Sequence, residues 1–214
     1  MINLFKMNEE GLGFFGLDDK DFSKEKLIII TGSNASGKSL LRRVVSNNGR
    51  KNNLLVADLS HERRTTQDIT RAFLYGDENS DSTGNITANS LIGLFRSSAG
   101  WTENHLLIID EPEIGLGEEA QMGMGIYIRE KLELASDKLQ NIVIFTHSRH
   151  ILEELNKIKH HYHHVGDKYK NIEEFNNREL IPLSPVQLND ISNSTFKILG
   201  GILNRAKKEW ERNE

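Results

Sequence analysis

The residues best suited to chemistry form one stretch in which a glycine-rich loop ends in a lysine and a serine. Residues 32–39 read G-S-N-A-S-G-K-S, follow the apolar run 27–30 and precede the helix-forming residues 40–45. This is the G-x-x-x-x-G-K-S pattern in a strand, loop and helix context. Glycines allow a tight turn whose N–H groups and following helix end point at one anion. The pattern predicts a phosphate-binding loop made of Gly32, Ser33, Asn34, Ala35, Ser36, Gly37, Lys38, Ser39 and Leu40.

Two side chains of this loop have separate predicted roles. We expect Lys38 to reach the β- and γ-phosphates of a nucleotide and to neutralise charge during a reaction there. We expect the Ser39 hydroxyl to ligate Mg²⁺. The loop therefore predicts nucleotide binding with a magnesium ion.

Two carboxylates follow a second apolar run, His105 to Ile109. The ends of strands in parallel sheets border the ligand crevice, so these carboxylates are placed near a bound nucleotide. We expect Asp110 to hold Mg²⁺ through water and Glu111 to orient or deprotonate an attacking water. The alternative is that the Asp-Glu-Pro segment only caps the next turn or helix.

A histidine occupies the corresponding place after a third apolar run, residues 141–145. In the segment Thr146-His147-Ser148, His147 is placed to donate a hydrogen bond to the γ-phosphate. The alternative is a histidine at a helix entry beside the N-cap Ser148.

Apolar runs that alternate with amphipathic stretches must position these residues. The runs predict strands over 26–31, 53–59, 105–110 and 141–146, with shorter ones near 162–165 and 179–183. A helix is predicted after the glycine-rich loop, and it ends at 47–49. Further helices are predicted over 66–75, from Asn85 onward, and over 118–135. Residues 1–25 predict an antiparallel hairpin beside the first core strand. Further helices follow Ser148 and end the chain, the last with an apolar stripe of Phe196, Leu199, Leu203, Ala206 and Trp210.

This alternation predicts a three-layer α/β fold with a mostly parallel sheet and an N-terminal antiparallel β piece. The 214 residues predict one domain, with a core over 1–185 and a C-terminal helical extension over 186–214. One chain is then expected to supply one nucleotide site.

The composition narrows the classes of function. The chain has 27 basic and 31 acidic side chains, a net charge of −4, so nucleic-acid binding would need a local basic patch. It has no cysteine, which excludes disulfides and thiolate zinc sites and suits a reducing cytoplasm. Neither a signal peptide nor an apolar run of about 20 residues is evident, so we expect a soluble cytoplasmic protein that does not enter membranes.

Taken together, residues 32–39, 106–112 and 145–147 resemble the motifs of the nucleotide-binding domains of ABC-type ATPases. The stretch Asp-Glu-Pro-Glu-Ile-Gly-Leu looks closest to the non-transporter branch, which includes the heads of SMC and RecF-like proteins and OLD-like AAA ATPases. The resemblance covers roughly residues 1–185. It implies ATP and Mg²⁺ as ligands, hydrolysis to ADP and phosphate, and a head-to-tail dimer. Each ATP is then sandwiched between the phosphate loop of one subunit and a signature loop of the other.

The signature loop departs from the family pattern Leu-Ser-Gly-Gly-Gln. The best match is Asp81-Ser82-Thr83-Gly84-Asn85, in which Ser82 and Gly84 agree with the pattern. The resemblance assigns Ser82 and Gly84 to the neighbour's nucleotide, and the alternative is that Ser82 is a helix cap only. Gln67 is the candidate for the family's magnesium-sensing glutamine. The stretch between Lys38 and Ser82 is short, which disfavours both a transporter lobe and coiled-coil arms.

The predicted function is an ATPase that dimerises with itself or with another protein on binding ATP and changes the conformation of an effector partner. The resemblance suggests DNA processing or phage defence as the setting, with nucleic acid as a further partner. Two alternatives stay open. One is a phosphotransferase that passes phosphate to a small molecule, and the other is a binding module that ATP switches without hydrolysis.

Two other clusters invite a functional interpretation. The basic residues form either a phosphate-binding surface or a solvated helix face; they are Arg42, Arg43, Arg50, Lys51, Arg63 and Arg64. The tract from His160 to His164 contains four histidines, but strand alternation sends His161 and His163 to one face and His160 and His164 to the other. A single metal site would gain two ligands at best, so no metal is predicted there.

Overall fold

The structure is a computed structural model that describes residues 4–7, 9–17, 20, 22, 24–60 and 82–212. The predicted helix at 66–75, Gln67 within it, and Arg63 and Arg64 lie outside these residues.

Five parallel strands form the centre of the described fold. They are β1 (Leu27–Thr31), β2 (Leu55–Leu59), β3 (His105–Asp110), β4 (Leu139–Phe145) and β5 (His161–His164), in the order β2-β3-β4-β1-β5. Phe145 of β4 aligns with Ile30 of β1 on one side and with Asp110 of β3 on the other. The carboxyl ends of these three strands therefore lie level at one edge of the sheet, as the sequence predicts for the candidate residues.

Helices cover both faces of this sheet. They are α1 (Glu9–Phe15), α2 (Lys38–Lys51), α3 (Thr83–Ser98), α4 (Glu118–Glu133), α5 (Arg149–Leu155), α6 (Ile172–Asn176) and α7 (Pro185–Arg212). Ile28 and Ile30 belong to one core cluster with side chains of α1, α2 and α7, and Leu27 and Ile29 belong to another with side chains of α3 to α6. Strands buried on both faces read as continuous apolar runs. The α/β prediction is confirmed, and the arrangement fits three layers.

The prediction of an N-terminal antiparallel hairpin is wrong. Residues Glu9–Phe15 are helical, and each strand pair in the described sheet is parallel. The glycine at the end of the helix explains the error. Gly16 has φ 68°, its N–H donates to the Gly13 carbonyl, and the Leu17 N–H donates to the Leu12 carbonyl. These two bonds are the Schellman C-cap of a helix, so the glycine that suggests a strand break ends a helix instead.

One helix boundary and one short strand also differ from the prediction. Helix α2 passes through Asn47–Gly49 to Lys51, because Gly49 faces the sheet. A Cβ on Gly49 would lie 2.7 Å from Leu106 Cδ2, so this glycine allows close packing and does not end the helix. Residues 179–183 form no strand, and their apolar side chains Leu180, Ile181 and Leu183 are exposed.

The C-terminal helix is present, but a different stripe faces the domain. The side chains that are buried or half-buried on α7 recur every three or four residues: Leu188, Ser192, Thr195, Leu199 and Ile202. Leu199 and Ile202 join the core cluster of α1 and α2, whereas Phe196 is 78% exposed. The predicted stripe is therefore wrong at Phe196 and right at Leu199, and the side chains of Leu203, Ala206 and Trp210 lie outside the described part.

Candidate functional site

The loop between β1 and α2 has the backbone shape that its glycines predict. Gly37, the residue before α2, has φ 93°, and Ala35 has φ 60°. A Cβ on Gly37 would lie 3.2 Å from Phe15 Cε1 and 3.3 Å from Leu199 Cδ1, so both conformation and space favour glycine. The Leu40 N–H donates to the Gly37 carbonyl at 3.0 Å, which joins the loop to the first turn of the helix.

Lys38 is folded back onto the loop that precedes it. Its Nζ donates to the carbonyl oxygens of Gly32 at 3.0 Å and Ser33 at 3.1 Å. Burial lowers the pKa of Lys38 to about 8, and the nearby carboxylates of Glu111, Asp110 and Glu113 oppose this by favouring the charged form. A cation that is desolvated in this way gains most from an anion placed beside it.

A cavity of about 360 Å³ brings the first two predicted motifs together. Residues of the loop, of the β3 end and of α7 line it: Asn34, Ala35, Ser36, Lys38, Ser39, Asp110, Glu111, Leu188 and Ser192. This volume lies within the range of small-molecule sites. The Ser36 hydroxyl is buried and has no hydrogen-bond partner among the described residues. Because an unsatisfied buried hydroxyl is costly, this atom favours a ligand with polar groups.

Asp110 lies beside a buried arginine that the sequence did not reveal as part of the site. Arg42 Nη1 lies 2.8 Å and 2.7 Å from the two carboxylate oxygens of Asp58, and Arg42 Nε lies 3.3 Å from Asp110 Oδ2. The side chains of Arg42, Asp58 and Asp110 are 4%, 5% and 13% exposed. Neither predicted role of Arg42, in a phosphate-binding surface or on a solvated face, is correct. The available signal was Asp58, an acidic residue in an otherwise apolar strand.

Glu111 and His147 meet across the ends of β3 and β4. Glu111 Oε1 lies 3.4 Å from His147 Nε2, and the Glu111 N–H donates to the Phe145 carbonyl at 2.8 Å. Glu111 has φ 51°, a left-handed conformation that residues with a side chain rarely adopt. The structure thus brings the third predicted motif to the cavity edge, with the imidazole directed at the carboxylate that lines it.

A second carboxylate, which sequence reasoning missed, fixes the His147 segment. Glu113 accepts hydrogen bonds from Thr146 Oγ1 at 2.9 Å and from the His147 N–H at 2.7 Å. The Ser148 hydroxyl accepts from the Ile151 N–H, which confirms the predicted N-cap, and donates to Gln121 Oε1 at 2.7 Å. Glu113 gave no signal because its partners lie more than thirty positions along the chain.

Ser82 and Gly84 lie at the start of α3, away from the cavity lining. Ser82 Oγ accepts from the Asn85 N–H at 3.3 Å and is the N-cap of α3, as the alternative interpretation predicts. A Cβ on Gly84 would lie 2.5 Å from the Gly115 carbonyl oxygen, and Thr87 Oγ1 donates to the Ile114 carbonyl. The first turn of α3 is thus docked on the turn that follows β3, and a role of Ser82 or Gly84 toward a second chain stays a prediction.

The histidine tract packs within the fold as strand alternation predicts. His163 Nε2 donates to the Phe15 carbonyl at 2.8 Å, and burial lowers the pKa of His163. His164 lies on the opposite face, where its Nδ1 is 2.9 Å from Thr31 Oγ1 and burial lowers its pKa to about 4. Among the described residues, no group of three or more histidine, aspartate or glutamate side chains is arranged to hold a metal ion.

No protein-family model matches the chain, and no curated protein is significantly similar to it. Within the ranges that the structure describes, no helix is both long enough and apolar enough to cross a membrane.

Proposed function

We propose that this chain binds Mg·ATP in the cavity between the Gly32–Ser39 loop and the end of β3, and hydrolyses it to ADP and phosphate. The observation that supports this most directly is the shared cavity: Lys38 and Ser39 line it together with Asp110 and Glu111. A phosphate-binding loop and a pair of carboxylates that meet in one cavity are the two parts that phosphoryl-transfer chemistry requires.

The described residues fit a nucleotide with its metal. Ser39 offers a hydroxyl to the cavity as a direct ligand, and Asp110 offers a carboxylate that would hold the ion through water. Mg²⁺ usually keeps several waters and is bound through one or two protein groups together with substrate phosphates. When bound, the ion would neutralise charge on the phosphates and orient them. Lys38 would exchange its contacts with the loop carbonyls for phosphate oxygens, and the added negative charge would favour its protonated form.

Glu111 would take the proton of the attacking water at a carboxylate oxygen. The position of His147 Nε2, 3.4 Å from Glu111 Oε1, supports a role in orienting that carboxylate. In the proposal the imidazole would turn to donate a hydrogen bond to the γ-phosphate when nucleotide is bound. Glu113 would keep the His147 backbone in place through the bond to its N–H. In this proposal the chain's own groups bind the phosphates, position the water and receive its proton.

The order of motifs along the chain supports an ABC-type ATPase of the non-transporter branch. In that arrangement the chain would dimerise on ATP with itself or with another protein, and Ser82 and Gly84 would contact the neighbour's nucleotide. Gln67 would sense the metal. The closed and open states would act on an effector protein, with DNA processing or phage defence as the proposed setting and nucleic acid as a further partner.

One observation favours the alternative of a nucleotide-gated binding module that does not hydrolyse ATP. The guanidinium of Arg42 lies 3.3 Å from Asp110 Oδ2, so it contacts the carboxylate proposed to hold the metal. If that contact persists with nucleotide bound, Asp110 would be less available to the ion, and ATP would act by binding alone.

Phosphate release by the unmodified protein, together with light scattering of the Glu111→Gln variant with and without Mg·ATP, tests the proposal. We expect hydrolysis by the parent, its loss in Glu111→Gln, and a dimer of the variant only with Mg·ATP. Glu119→Gln, a change on the exposed first turn of α4, is the matched control and should behave as the parent. ATP binding without phosphate release would favour the gated module, and a variant that stays monomeric at saturating ATP would refute self-dimerisation.

A further inference from the structure

We propose that α7 completes the triphosphate site within a single chain, with the Ser192 hydroxyl binding a phosphate oxygen and Leu188 excluding water. This inference rests on the proposed binding of Mg·ATP in the cavity, and it does not depend on the proposed dimer. Leu188 and Ser192 line the same cavity as Lys38, Ser39, Asp110 and Glu111.

The start of α7 is held by local hydrogen bonds, which define where along the helix Leu188 and Ser192 lie. The Gln187 N–H donates to Ser184 Oγ at 3.2 Å, and Gln187 Oε1 accepts from the Ser184 N–H at 2.9 Å. This reciprocal pair is a capping box, and Pro185 occupies the first helical position, where proline is favoured. Leu188 therefore lies in the first turn and Ser192 one turn later, on the same face.

Packing further along the helix keeps that face against the loop. Leu199 Cδ1 lies 3.3 Å from where a Cβ on Gly37 would be, and Leu199 and Ile202 are buried in the core cluster. The spacing of Leu188, Ser192, Thr195, Leu199 and Ile202 places all five on one stripe. Because the far half of the stripe is buried against the domain, the near half is fixed over the loop and the carboxylates.

The chemistry of the lining points to the terminal phosphate as the group that Ser192 contacts. The cavity contains the lysine and the carboxylates proposed to act at the γ-phosphate, and a serine hydroxyl is a hydrogen-bond donor suited to an anionic oxygen. In the sandwich arrangement, Ser82 of a neighbouring chain would supply such a hydroxyl. Here Ser82 Oγ caps its own helix, whereas Ser192 lines the cavity of its own chain.

Calorimetric titration of the full chain with Mg·AMP-PNP and with Mg·ADP tests the role of Ser192. We expect Ser192→Ala to weaken Mg·AMP-PNP binding about tenfold or more, since a hydrogen bond to a charged group is lost, and to change Mg·ADP binding less than about twofold. Ser192→Thr, which keeps a hydroxyl, should restore most of the affinity. Ser194→Ala, an exposed site on the same helix, is the matched control.

Equal affinities of Ser192→Ala and Ser194→Ala for Mg·AMP-PNP would overturn the inference while leaving nucleotide binding intact. Failure of the parent protein to bind either nucleotide would instead overturn the proposed function. A mixture of the Lys38→Ala and Ser192→Ala proteins shows whether Lys38 and Ser192 of one site come from the same chain or from two chains. If Ser192 serves its own chain, the mixture gains no tight site, whereas recovery of tight Mg·AMP-PNP binding would show that Ser192 acts across an interface.

Discussion

Replacing Arg42 by methionine tests whether the buried ion pair with Asp58 stabilises the fold. Methionine keeps much of the apolar length of the arginine side chain and removes the guanidinium that lies 2.7 Å from Asp58 Oδ2 and 3.3 Å from Asp110 Oδ2. Both carboxylates then lose this cation. Because Asp58 is 5% exposed, its charge would stay in a poorly solvated position.

Breaking a buried pair by removing one partner costs about 3–5 kcal/mol. For a domain of this size, each kcal/mol lowers the melting temperature by roughly 2–4 °C. We therefore expect Arg42→Met to lower the melting temperature by about 6–20 °C, and to shift the urea midpoint by about 1 M or more if the urea slope is about 3 kcal/mol per molar. The assay is urea unfolding followed by circular dichroism, without nucleotide.

The neighbouring exposed residue provides the control: Arg43→Met should change stability by about 1 kcal/mol or less, because interactions of exposed charges contribute little. The double variant Arg42→Met/Asp58→Leu should recover part of the loss, because an apolar pair replaces the lone charge. If Arg42→Met unfolds at the same urea concentration as Arg43→Met, the ion pair contributes nothing and the reasoning is refuted.

Two further predictions concern the site and its supports. The pKa of Lys38 is about 8 in the folded state and 10.5 for the free side chain. Between these pH values the unfolded chain binds more protons than the folded chain, so the stability of the parent should rise as the pH increases from about 8 to 10.5. Lys38→Met lacks this group, so without nucleotide the stability of the parent relative to Lys38→Met should rise by about 3 kcal/mol between about pH 7 and pH 11, as thermal unfolding at several pH values measures; a pH-independent difference would contradict it. Gly84→Ala should cost about 1–3 kcal/mol, because the added Cβ would lie 2.5 Å from the Gly115 carbonyl oxygen. Gly123→Ala, which meets nothing within 4 Å on α4, should instead be neutral or stabilising by up to about 1 kcal/mol, and equal unfolding midpoints for the two variants would refute the close packing.

The sequence was sufficient for the elements whose signals are local. Strands buried on both faces are apolar runs in the sequence, so the predicted bounds of β3 agree with the structure. The alignment of Phe145 with Ile30 and Asp110 follows from parallel pairing of the strands. The Ser148 cap and the glycine-rich loop also depend on residues close in sequence. These elements placed the loop, the carboxylates and His147 at one edge of the sheet.

The remaining features depend on which face of an element meets the core, and the sequence leaves that open. Arg42 lies between apolar and basic neighbours on α2, and only the position of Asp58 on the sheet face that α2 covers shows that it points inward. Helix α7 carries apolar residues on more than one face, so its stripe could not be assigned without knowing where Gly37 lies. Glu113 is a loop residue whose partners come from a distant strand end.

The backbone conformation of Glu111 affects how this protein would respond to selection for thermal stability. At φ 51° a residue with a side chain costs about 1 kcal/mol relative to glycine, so the position is one where stability and a carboxylate compete. A screen that selects variants for thermal stability alone would therefore favour Glu111→Gly. Such a screen would enrich variants that are more stable and that lack the carboxylate proposed to receive the proton of the attacking water.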